Sequence, residues 1–131
     1  MTGMADKVAA LAKAHSAAWT AGDLEGTLAL FASDAESSVN GADPHRGHDA
    51  IRQGAAALMA DFSGLTVTCN ETRSAGSRAV FLWTLTGTHK ESGRDATLPG
   101  WHEWELNGDD TVQRCRGFYD AADLRKQIGA D

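Results

Sequence analysis

The chain has 131 residues, 42% hydrophobic and 23% charged, with 14 Gly and 2 Pro, the composition of one globular domain spanning residues 1–131 with enough apolar mass to bury a core. Its formal net charge is −6, with Arg and Lys scattered among carboxylates, so no basic stripe exists to neutralise nucleic-acid phosphates or attract acidic partners. No apolar run approaches the length of a membrane span, and MTGMADKVAALAKAH lacks the basic start and unbroken apolar core of a secretory signal, so the expected address is the cytoplasm.

From Lys7 to Ala21 apolar positions recur at helical spacing, with Gly22 as a C-terminal stop and Asp23 as the N-cap of the next helix. That second helix is short, carries Leu24, Leu28 and Phe31 on one face, and is expected to end near Ser33-Asp34. Residues Ser37 to Gly47, which include NGADP, read as a short strand, a loop and a second short strand. A third helix runs from His48 or Asp49 to Phe62, with Ile51, Ala55, Leu58, Met59 and Phe62 on one stripe and Ser63-Gly64 as its stop. The second half alternates instead. Leu65–Asn70, Ala79–His89, Trp101–Leu106 and Val112–Tyr119 read as strands joined by Gly-containing turns, and Asn107-Gly108 is a hairpin signal. The tail from Asp120 to Gly129 reads as a brief helix or turn, with Asp120 and Asp123 in capping positions and Leu124 and Ile128 docking it. The order is α+β: three N-terminal helices packed on a curved, mixed or antiparallel sheet.

Alternation also assigns faces. Glu103 and Glu105 stand opposite Arg114 and Arg116, an arrangement suited to a watered outer face and to a twofold homodimer contact, with Trp101 on the same side. The other parity points inward: His102, Trp104, Cys115, Gly117 and Tyr119, joined by Phe81, Trp83 and Leu85 and covered by Leu11, His15 and Trp19 of the first helix. Such an interior, aromatic yet holding two histidines, a tyrosine and a thiol, fits a ligand cavity as well as a packed core.

HSAAWTAGDLEGTLALFASDA followed by HRGHDAIR resembles the opening of ketosteroid isomerases and their relatives in the nuclear transport factor 2-like superfamily. VQRCRGFYDAADLRKQIG is similar to the last strand and tail of SnoaL-like polyketide cyclases, and TGTHKESGRDATLPGWHEWEL resembles their paired central strands. The resemblance implies a cone-shaped barrel with an interior pocket. It puts His15 where ketosteroid isomerases have a hydrogen-bonding Tyr and His102 where they have a carboxylic acid. Val39 or Asn40 falls at the general base, and Gly117 falls at the acid/base Asp of the cyclases.

The candidate catalytic residues are therefore His15, His102 and Tyr119. The candidate pocket residues are Trp19, Val39, Asn40, Phe62, Trp83, Leu85, Trp104, Cys115 and Gly117, with a flat ligand placed between Trp83 and Trp104. The two histidines read either as an oxyanion site or acid–base pair, or as buried polar side chains bonded to backbone, water or Tyr119. His45 and His48, flanked by Asp43 and Asp49, lie in a loop containing Pro44, so neither a metal nor another cofactor is expected. Cys69 and Cys115 form no CxxC pair and read as reduced core thiols, a disulfide being the alternative. The expected partner is a small apolar or aromatic carbonyl compound, either turned over by proton transfer or bound unchanged; a third reading is a dimeric interaction module with a filled core.

Overall fold

A computed structural model describes residues 3–130. Helix α1 (Met4–Ala21) ends at Gly22, whose left-handed backbone (φ 67°) lets its N–H reach back to the last turn. The Asp23 side chain accepts from the Gly26 N–H and so caps α2 (Leu24–Leu28). Strand β1 (Phe31–Val39) and the two-residue β2 (His45–Arg46) lead into α3 (Gly47–Asp61). Strands β3 (Phe62–Ala75), β4 (Arg78–His89), β5 (Asp95–Leu106) and β6 (Val112–Tyr119) follow, and α4 (Ala121–Ile128) closes the chain, capped by Asp120.

The six strands form one mixed sheet in the order β2-β1-β6-β5-β4-β3. Strands β3 to β6 are an antiparallel meander, whereas β1 runs parallel to β6, beginning at Phe31↔Val112. The sheet is open, with β2 and β3 as its edges, so the expected barrel is a curled sheet closed by helices rather than a continuous ladder. The helices cover the concave face, where Val8 and Ala12 of α1 and Ile51 of α3 meet Phe81, Leu98, Trp104 and Val112. Phe81, at 0% exposure, stands at the centre of that core.

Several boundaries move from the sequence expectation, among them the strand expected at Leu65–Asn70, which runs on to Ala75. The second helix stops at Leu28 rather than near Asp34, because Phe31 is taken into the sheet and Leu30 accepts from the Val112 N–H at 2.9 Å. Phe62 opens β3 rather than ending α3, pairing with His89. Strand β5 begins at Asp95, since residues 95–100 pair with Tyr119 of β6 and with Trp83–Thr88 of β4. Propensity is local, and strand pairing with distant partners overrides it in each case.

The proposed faces are those observed. Glu103 pairs with Arg116 and Glu105 with Arg114, and a chain of ion pairs runs over the outer surface from Arg46 through Glu36, Arg114 and Glu105 to Arg116. Trp101 stacks on Phe118 beside it, with centroids 5.0 Å apart.

Candidate functional site

Between α1, α3 and the concave face lies a cavity of about 300 Å³. Its walls are apolar, built by Trp19 of α1, Ile51 and Leu58 of α3, Phe31 of β1, and Trp83 and Leu85 of β4. On α3 the stripe legible in the sequence is the one that faces it. The polar lining is sparse: His15, Thr27, Ser37, Ser38, His45, His102, Cys115 and Tyr119, with no Asp, Glu, Lys or Arg among the described residues. His45 of β2 and His102 of β5 border the same space although three strand spacings separate them. On a flat sheet that would be roughly 14 Å, so the curl of the sheet is what brings them to one cavity.

His15 and His102 meet edge to face with ring centroids 5.2 Å apart. Aromatic rings enclose the pair: Phe81 and Trp104 stand 5.7 and 5.9 Å from His15, and Trp83 lies 5.6 Å from His102. Nδ1 of each imidazole is buried without a hydrogen-bond partner, as are the indole nitrogens of Trp19, Trp83 and Trp104. Neither Tyr119 nor the backbone bonds those Nδ1 atoms. Burial pushes the His102 pKa down to about 4. His15 is held well below the ordinary imidazole value by burial first and by the neighbouring His102 second. Both rings are therefore neutral at pH 7.

A neutral imidazole carries one N–H and one lone pair. A buried lone pair without a partner is tolerated better than a buried N–H without one, which assigns the proton to Nε2 in each ring. In His102 the Cδ2–Nε2 edge lies over Gly117, where a built Cβ would come within 2.9 Å of both atoms. His102 and Gly117 are direct cross-strand partners, so glycine leaves the space that the ring fills.

Of the other sequence candidates, Trp19, Trp83, Leu85, Cys115, Gly117 and Tyr119 line the cavity, and Val39 stands at its mouth, 45% exposed. Three do not line it. Trp104 is 2% exposed, stacked behind His102 at 6.4 Å and packed on Phe81, so the cavity is walled by Trp83 and Trp19 and holds no Trp83–Trp104 slot. Asn40 takes a left-handed turn (φ 52°) at the end of β1, and its Oδ1 accepts from the Tyr119 N–H. Phe62 packs edge-on against His89 on another side of the fold. Burial pushes the Cys115 thiol up to about 12, Trp104 and Ser37 lowering it less, and among the described residues both cysteines are free thiols.

Sequence reasoning passed over His45, Ser37, Ser38 and Gly54 as lining residues. His45 sits in a loop by local pattern, and only its pairing with Ser37 puts it on the sheet. The one local signal is Gly54, an interior helix glycine with no turn to make. His48 turns away, its Nε2 3.0 Å from the Phe31 carbonyl oxygen.

A model of the SnoaL-like domain matches residues 12–114. Among solved structures, a putative SnoaL-like polyketide cyclase from Jannaschia sp. CCS1 superposes with TM-score 0.88 at 17% identity, covering 100% of this chain and 97% of that one. A hypothetical protein with a ketosteroid isomerase-like fold from Catenulispora acidiphila, in complex with trimethylamine, gives 0.83 at 20% identity, over 91% and 92% of the two chains. TerC, co-crystallised with polyporic acid, gives 0.81 at 22% identity, over 94% and 98%. No protein of curated function matches the chain. At these identities the superpositions establish the fold.

Proposed function

We propose, for a chain that belongs to the SnoaL-like domain family, that its cavity binds a small apolar or aromatic carbonyl compound and acts on it as an isomerase- or cyclase-type proton-transfer catalyst without metal. The observation that carries this reading is the His15–His102 pair, two neutral imidazoles 5.2 Å apart in the wall of an otherwise uncharged cavity. Their Nε2–H groups donate to the carbonyl oxygen, which gains negative charge as the neighbouring carbon loses a proton. In a dry apolar site such donors stabilise the enolate more than the ketone, and that difference is catalysis. Trp19 and Trp83 hold the ring system by stacking. Tyr119, at the cavity wall, is a third donor within the same lining. The polyporic acid bound by TerC and the trimethylamine bound by the Catenulispora protein support a pocket that takes small molecules in this fold.

Titration of intrinsic tryptophan fluorescence with ketones, quinones and flat phenols tests binding, with Trp83→Phe as the control. Saturable quenching by a carbonyl class that weakens in Trp83→Phe and His102→Ala supports the reading; no response to any of them refutes it. The lack of a carboxylate among the described lining residues favours a second reading, a carrier that returns its ligand unchanged, and recovery of unaltered ligand after prolonged incubation distinguishes the two.

The outer sheet face supports a homodimer. Leu82 and Trp101, 37% and 41% exposed, share it with the Glu–Arg ladder, an arrangement of both signs that a twofold axis makes self-complementary. The two free thiols agree with the reducing cytoplasm.

A further inference from the structure

We propose that His45 is the proton acceptor of this cavity, taking a proton from the carbon next to the ligand carbonyl that His15 and His102 polarise. The inference rests on the carbonyl-binding reading above and adds the base that reading lacks.

With no carboxylate among the described lining residues, the groups there able to receive a proton are three imidazoles, the Tyr119 phenol and the Cys115 thiol. Cys115 keeps its own proton, since burial pushes its pKa up to about 12. A neutral phenol donates more readily than it accepts. The Nδ1 atoms of His15 and His102, which carry their lone pairs, are sealed in packed protein. His45 is what remains. It is exposed, lies on β2 at the far edge of the curl from β5, and reaches the same cavity.

The structure makes room for it. Gly54 stands in the interior of α3, where glycine is unfavourable for a helix. A Cβ there would lie 3.2 Å from Nε2 and 3.4 Å from Cδ2 of His45. The imidazole therefore rests directly on the α3 backbone, and Gly54 itself lines the cavity beside it. A glycine that weakens a helix while seating one ring is better explained by the ring's role than by packing.

In the step itself, a ring nitrogen of His45 bonds to the α-proton as the C–H bond breaks. The C–H electron pair becomes the C=C bond of an enolate, and the carbonyl π pair moves to the oxygen held by the two Nε2–H groups. In a ligand with a β,γ double bond the enolate is a dienolate, and returning the proton to its γ-carbon gives the conjugated isomer. If the enolate carbon first attacks a second carbonyl, the new alkoxide takes the proton instead and a ring has formed. Either way His45 ends neutral and no oxidant or co-reactant is consumed.

The probe is 2-tetralone, a two-ring ketone with exchangeable α-protons, suited to a cavity with room for roughly ten water volumes. Hydrogen–deuterium exchange at its α-carbons is followed by NMR in D₂O, and binding by tryptophan quenching. The native protein is expected to bind it and accelerate exchange. His45→Gln should lower that exchange about 100-fold or more while the Kd changes less than about threefold. Added imidazole should restore exchange to His45→Gly, which a merely structural role would not produce. If the native protein exchanges and His45→Gln matches it, the His45 assignment falls while the carbonyl pocket stands. If the native protein binds without exchange, the His45 assignment falls and the carrier reading takes its place; if it does not bind, the carbonyl pocket falls as well.

Discussion

Replacing Gly117 by alanine tests whether the His102 ring, rather than the strand, demands glycine. The φ of Gly117 is not positive, so its backbone accepts any residue. The new Cβ would sit 2.9 Å from Cδ2 and Nε2 of His102, against an ordinary carbon contact of ~3.5–4.0 Å, so the ring must shift by roughly 0.6–1 Å. Phe81, Trp83, Trp104 and His15 surround it, which leaves the cavity as the direction of escape. Overpacking of this kind costs ~1–3 kcal/mol. Alanine in place of a strand glycine returns about 0.5–1 kcal/mol, so the expected net loss is about 1–2 kcal/mol. That corresponds to a Tm lowered by about 5 °C in a chain of this size. Ligand affinity should fall about tenfold as the donor leaves its place. In a His102→Ala background the clash has no partner, and Gly117→Ala should be neutral or stabilising. Urea unfolding of the four proteins yields the coupling, which is the clash alone and is expected at ~1–3 kcal/mol. An equal cost in both backgrounds would refute the steric argument and the role of Gly117 as the seat of His102.

Four further outcomes follow from the same geometry. Because the folded pKa of His102 is about 4 and that of an exposed imidazole about 6.5, the unfolded chain binds a proton that the folded chain refuses; stability should fall as pH drops from 7 to 5, by about 2 kcal/mol for His102 alone, and His102→Phe should remove that share of the pH dependence of the urea midpoint while the share of His15 remains. Gly100→Ala should cost about 3 kcal/mol or more in the same denaturation assay, because its Cβ would fall inside the Trp83 ring edge and 2.7 Å from the Phe118 carbonyl oxygen. Asp23→Ala removes the acceptor of the Gly26 N–H and should lower stability by ~1 kcal/mol without changing ligand affinity. Light scattering of native protein and of the Leu82→Asp/Trp101→Asp double variant tests the sheet-face dimer; a native monomer, or a variant that stays dimeric, rejects it.

The sequence by itself determined what short-range rules govern. The 3.6-residue stripe of α3, the Asp23 and Asp120 caps, and the Gly22 stop were all readable because each involves atoms within a turn or two of one another. Strict alternation separated Glu103 and Glu105 from His102 and Trp104, since a strand sends successive side chains to opposite faces whatever its partners are. Closure was beyond those rules. The parallel pairing of β1 with β6 joins residues about eighty apart, and it alone takes Phe31 out of a helical pattern and into the sheet. How deep the cone runs decided that Trp104 packs behind the histidines while Trp19 reaches the cavity. The curl of the sheet brings His45, a loop residue by every local measure, to the cavity that His102 borders. Local pattern says which face a residue takes; only the folding of distant strands onto one another says what stands across from it.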